Sequence, residues 1–185
     1  MSKKNRQKTS AAALLKTLDL SKYEAPIAGF ANGCAAIESE DVVEFVFFEV
    51  RPGIPPVTVG RFFITYMELG QVWMNTQEFY GKMETMIDRH LWGKNAVMSA
   101  TPKDLPNPTA PAPLCSIVGM AKFGLAGLIE CFYLPASSML RVSQGARQVK
   151  VVPLFGVQMP AGLLWSMIEK IKAIVSAHSQ PVSQT

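Results

Sequence analysis

Residues 42–50 read VVEFVFFEV. Apart from Glu44 and Glu49 the stretch is β-branched or aromatic throughout, which predicts a buried strand. Working outward, FANGCAAIE (Phe30 to Glu38) reads as a strand before it, with Ser39-Glu40-Asp41 as the turn between them. On the other side RPGIPP (Arg51 to Pro56) reads as a loop, because proline cannot donate to a ladder. VTVGRFFIT (Val57 to Thr65) is then a third strand. Thr65 and Glu68 have capping-box spacing, and Leu69, Val72, Trp73, Tyr80, Met83 and Ile87 follow at helical intervals. Asp88, Arg89 and His90 close that helix region.

The same order returns further along. LCSIVGMAKF (Leu114 to Phe123), LAGLIECFYL (Leu125 to Leu134) and RQVKVVPLFGVQM (Arg147 to Met159) are strand candidates, Pro153 making the last an edge or bulged strand. Pro160 suits a helix start, and Leu163, Leu164, Met167, Ile168, Ile171, Ile174 and Val175 form an apolar stripe. Laid over one another, Gly81 to Glu84 face Glu169 to Lys172, and His90 meets His178. The expected fold is α+β: two tandem units of three antiparallel strands and one amphipathic helix, packed as a pseudo-dimer. The division is a basic arm over 1–25, a first βββα unit over 26–101, a Pro-rich linker over 102–113, a second unit over 114–178, and a polar tail over 179–185. The alternative is two unrelated strand-rich segments, each closed by a helix.

The first unit resembles a family of uncharacterised prokaryotic proteins, the domain of unknown function 3467. The residues that carry the resemblance are Asn32, Glu44, Phe48, Pro52, Arg61 and Thr65, within roughly residues 29–90. The resemblance implies a shared fold and no catalytic residue. A typical member of that family has a single such unit, so the second unit, the arm and the linker are departures.

Apolar residues make up 49% of the 185 and charged residues 17%, against about 25% charged in ordinary soluble domains. So greasy a chain must bury apolar surface in a core or against another subunit. The net charge of +4 is uneven: over residues 1–22, Lys3, Lys4, Arg6, Lys8, Lys16 and Lys22 face Asp19 alone. A basic arm on a nearly neutral body suggests a polyanion tether, nucleic acid included, or a solvated tail. A mitochondrial presequence is the targeting alternative; there is no apolar run long enough for a membrane span.

Little points to catalysis. Cys34, Cys115 and Cys131 have no C-x-x-C spacing, so buried free thiols in a reducing, cytoplasmic setting are expected rather than a disulfide or zinc site. His90 and His178 sit near helix ends, where a cation meets the dipole. Glu38, Glu40 and Asp41 suit a solvated turn, though paired carboxylates can also do acid–base work. No G-x-S-x-G, Walker or G-x-G-x-x-G motif occurs. Glu44 and Glu130, each inside an apolar strand, are expected to pair with Arg61 and Arg147 on neighbouring strands. No cofactor and no metal are expected. The reading is a non-enzymatic structural protein that self-associates as a homo-oligomer, with Phe45, Phe47, Phe62, Met74, Met159 and Trp165 as interface candidates. The alternatives are a chaperone-like module taking peptide clients on a Met- and aromatic-rich surface, and nucleic-acid binding through the arm.

Overall fold

The structure, a computed structural model, describes residues 23–86, 98–99, 112–144 and 149–178. Strands and helices are mixed. In chain order they are β1 (Ile27–Phe30), β2 (Gly33–Glu38), β3 (Val42–Arg51), β4 (Ile54–Thr65), α1 (Tyr66–Met86), β5 (Met98–Ser99), β6 (Ile117–Phe123), β7 (Ala126–Tyr133), α2 (Ala136–Ser143), β8 (Val152–Pro160) and α3 (Ala161–His178). Two four-stranded sheets result, one ordered β4-β3-β2-β5 and the other β1-β8-β7-β6. The predicted order of three antiparallel strands followed by a helix is present twice, as β2-β3-β4-α1 and as β6-β7-β8-α3.

The two sheets exchange chain. β1 runs parallel to β8 in one sheet, and the same strand then continues as β2 beside β3 in the other. At the change of partner the Ala31 N–H donates to the Gln158 carbonyl and the Asn32 N–H to that of Phe48. Residues 113–115 do the converse. They bridge β4 at Phe63, where Cys115 N–H donates to the Phe63 carbonyl; then Ser116 N–H donates to Phe132 and the chain continues as β6. Backbone hydrogen bonding therefore closes a circuit through six passes of chain. Strands that switch sheets make the corners of such a structure. The predicted strand starting at Phe30 is thus two strands with different partners, beginning at Ile27.

Matching positions emerge from these bonds. Ala31 and Cys115, Asn32 and Ser116, and Phe48 and Phe132 stand at one offset, while Phe63 and Gln158, and the helix starts Tyr66 and Ala161, stand at a longer one. Neither is the offset at which His90 meets His178. The insertion of α2 between β7 and β8 accounts for the lengthening. That helix follows Pro135, whose carbonyl accepts from Ser138 and Met139 N–H, and Ser138 Oγ donates to the Lys150 carbonyl.

The hairpin between β3 and β4 is tighter than the expected six-residue loop. Arg51 pairs with Ile54, so only Pro52 and Gly53 turn the chain, Gly53 at φ 75°. Proline then glycine with positive φ is the pattern of a type II turn. Pro55 and Pro56 lie within β4. The pairing is irregular there, between Glu49 and Arg51, and an edge needs no donor at every residue. Pro153 behaves as expected, opposite Phe132 where the β7–β8 register slips.

The main core spans both sheets and both long helices: Cys34, Phe45, Phe47, Phe62 and Ile64 meet Ile129, Cys131, Val157 and Met159, with Leu69 and Val72 from α1 and Leu163, Leu164, Met167, Ile168 and Ile171 from α3. The capping box forms as predicted: Thr65 N–H and hydroxyl donate to Glu68 Oε2, and Glu68 N–H donates to Thr65 Oγ1. β7 comes so close to α3 that a Cβ on Gly127 would lie 2.9 Å from Leu164. A smaller cluster under residues 149–151 packs Tyr23, Ala25, Ile117, Phe132 and Leu134 on the other face of the β6–β8 sheet.

Candidate binding surfaces

α1 and α3 run antiparallel, because the start of one meets the end of the other. The Tyr66 ring stacks on His178 at 3.8 Å, and Tyr80 stacks on Trp165 at 4.4 Å with Trp73 edge-on at 5.5 Å. Tyr80 donates its phenol to Glu169, and Lys172 Nζ sits 4.8 Å above the same ring. Stacked rings and a cation over a π face each add to burial energy, so this cluster serves as a clamp between helices. His178 Nδ1 lies 2.9 Å from the Ile174 carbonyl in the last helical turn, the capping position expected for it. At the other end Tyr66 donates to the Ser39 carbonyl, and burial, then Glu38 and Asp41, holds its phenol above the ordinary value.

Glu44 and Arg61 meet as expected. The register sets Glu44 opposite Phe63 and Arg61 opposite Val46, a diagonal pair on one face of the sheet. Arg61 Nη2 contacts Glu44 Oε1, and the two side chains are only 16% and 10% exposed. The guanidinium also lies 5.8 Å from the Phe63 ring. Arg61 Nε, buried, has no hydrogen-bond partner. Glu130 differs: Arg147 lies outside the described residues, and Glu130 Oε1 instead faces the Ala25 N–H at 3.5 Å.

Four of the interface candidates are corrected. Phe45, Phe47, Phe62 and Met159 are fully buried within the single chain, because both sheets and both helices close over them. Met74 remains exposed and Trp165 is half-buried against Tyr80. Lys3, Lys4, Arg6, Lys8, Lys16, Lys22 and His90 lie outside the described residues.

All three thiols are free and buried. Burial pushes the Cys34 thiol up, and burial with the neighbouring Cys115 thiol does the same to Cys131. A thiol kept protonated is a poor nucleophile. In native protein the three cysteines are expected to react with a thiol reagent at pH 8 only as fast as the chain unfolds, and all at once in denaturant. Rapid labelling of any one in native protein contradicts this. Among the described residues no group of three or more His, Cys, Asp or Glu side chains could hold a metal ion. No described helix is long and apolar enough to cross a membrane.

Among the apolar surface that the interior leaves out, two places that sequence reasoning missed stand out. One is the β3–β4 hairpin, where Val50, Ile54 and Val57 are 45%, 53% and 57% exposed. Glu49, Arg51, Ile54, Pro55 and Val57 line a shallow depression there, with Arg51 bonded to Glu49 at 2.7 Å. Both hairpin edges are blocked against an added strand. The Asn32 side chain donates to the Val50 carbonyl and accepts from the Val50 N–H, so it occupies the place of a neighbouring strand. Pro55 and Pro56 offer no donors on the other strand. The second place is the outer face of the β1-β8-β7-β6 sheet. Its cross-strand rows are Phe30, Gln158, Leu128 and Ala121, then Ile27, Gly156, Glu130 and Gly119. Ile27 and Phe30 are 48% and 46% exposed, and Phe123 at the β6–β7 turn is 66% exposed.

Compared with protein-family models, with curated proteins and with solved structures, the chain has no match.

Proposed function

We propose that this chain is a non-enzymatic assembly protein of the reducing cytoplasm, two βββα units of one origin packed as a pseudo-dimer, with its basic arm tethering a polyanion. The reciprocal exchange of chain between the sheets supports the pseudo-dimer: each unit borrows its first strand's opening residues for the other unit's third strand. The resemblance to the domain of unknown function 3467 belongs to the same reading. The observation that carries self-association is the exposed apolar hairpin bearing Val50, Ile54 and Val57. Its blocked edges favour packing through side-chain faces over strand addition.

Light scattering at tens of micromolar is expected to give a multiple of the 20.2 kDa chain mass. Ile54→Lys, at an exposed position, is expected to return the monomer without altering thermal unfolding. A monomeric wild type removes the assembly reading. Deleting residues 1–22 is expected to abolish salt-sensitive capture of a polyanion and leave the number of subunits unchanged; capture that survives deletion, or ignores salt, removes the tether. The peptide-binding alternative draws on exposed Met67 and Met74 and on the open sheet face.

A further inference from the structure

We infer that the outer face of the β1-β8-β7-β6 sheet is a docking surface for an amphipathic helix that carries a lysine or arginine within its apolar stripe. The inference gives the peptide-binding alternative a surface and a partner chemistry. It is independent of the hairpin on which self-association rests.

Tyr23, Ala25 and residues 149–151 cover the end of this face near Phe132; the rest, from Glu130 to the β6–β7 turn, is accessible and mostly apolar. Phe30 and Leu128 share one cross-strand row, Ile27 lies in the next, and Phe123 stands at the turn end. Inner-face neighbours Ile129, Cys131 and Val157 belong to the core, so alternation turns Leu128, Glu130 and Gly156 outward. Four strands at ~4.8 Å spacing make a floor roughly 15 Å across, enough for one helix of about 10 Å diameter. Hydrogen bonding around this sheet is already closed through β1 and residues 113–116, so a partner meets its face rather than its edge.

Charge then selects the partner. Glu130 sits mid-face in a row with Gly119 and Gly156 on either side, and the side chains that reach over those two glycines, Phe132 and Ile27, are apolar, so neither offers the carboxylate a charge or a donor. No described cation pairs with it, and its one polar contact is the long one from Ala25 N–H. A half-buried carboxylate among apolar groups is stabilised when an opposite charge arrives from outside. A second copy of the same face would set Glu130 against Glu130, which disfavours the symmetric sheet-to-sheet dimer. An apolar helix without a cation would bury the carboxylate unpaired. A basic amphipathic helix satisfies both the apolar floor and the charge.

The test uses the full chain and two fluorescently labelled 18-residue amphipathic helical peptides, identical except for one position in the middle of the leucine stripe, lysine in one and glutamine in the other, read by anisotropy. The lysine peptide is expected to bind, and Glu130→Gln, which keeps the side-chain volume, to weaken it roughly tenfold, the usual weight of one bond to a charged group. Phe123→Ser, at an exposed turn position, is expected to weaken it as well, which keeps the test open should Glu130→Gln fold poorly. Glu40→Gln, on the β2–β3 turn, is expected to leave it unchanged. Equal binding of the two peptides, an unaffected Kd in both Glu130→Gln and Phe123→Ser, or no binding at all overturns the proposal. Light scattering on the same variants is expected to match wild type, so failure here and failure of the assembly reading are told apart.

Discussion

Arg61→Ala is expected to destabilise the fold by about 3–5 kcal/mol, because it leaves the Glu44 carboxylate buried without its cation. Glu44 and Arg61 are each largely enclosed, and Glu44 lies in the middle of β3 with buried neighbours on both sides. Among the described residues Arg61 is the cation paired with Glu44. The pair as a whole is a different matter. Two ions taken out of water lose hydration that their mutual attraction only partly restores, and Arg61 Nε lacks a hydrogen-bond partner even now. The double variant Glu44→Leu/Arg61→Met is therefore expected to unfold within about 1–2 kcal/mol of wild type, in either direction. Removing the exposed Lys82–Glu78 pair is expected to change little. Urea denaturation of all four chains decides the matter. A single Arg61→Ala variant as stable as wild type would show that water reaches Glu44.

The second large effect is at Phe62. Its ring stacks on Phe45 at 5.4 Å and on Phe47 at 6.1 Å, and meets Phe155 of the other sheet at 6.4 Å. It is fully buried and joins the two sheets across the core. Phe62→Ala is expected to cost about 3–5 kcal/mol, the sum of lost transfer energy and a cavity that rigid sheets cannot refill. That is a large part of the roughly 5–15 kcal/mol that holds a typical domain. Concentration separates core from interface. Loss of a core ring lowers the denaturation midpoint equally at every protein concentration, whereas loss of an interface ring shifts it with concentration. A concentration-dependent deficit in Phe62→Ala would return Phe62 to the interface role that its sequence suggested.

That contrast marks how much of the molecule can be read from its residues. The aromatic, β-branched run around Phe45 announces β3, and the Thr65–Glu68 spacing announces the start of α1, because both are local matters of propensity and capping. The Glu44–Arg61 pair was legible for the same reason, since a hairpin brings its diagonal neighbours together once the strands are named. The hairpin's length was misread because Pro-Gly turns the chain in two residues and the two following prolines tolerate an irregular ladder. The short helix α2 is only eight residues long, too few for a periodic stripe, and three of them are serines, which favour turns and caps over helix interiors.

Composition and periodicity by themselves determined the six longer strands, the two long helices, their repeated order and the need to hide a large apolar surface. Only the tertiary structure decided where that surface went. β3 is buried on both faces, so alternation could not tell an inward phenylalanine from one facing a partner. Which side of the β6–β8 sheet stayed open depended on β1 crossing to β8 and on α1 and α3 gathering on the inner side. Those are contacts between residues far apart in the chain, and a strand's sequence carries its own pleat but not the identity of what will lie across it.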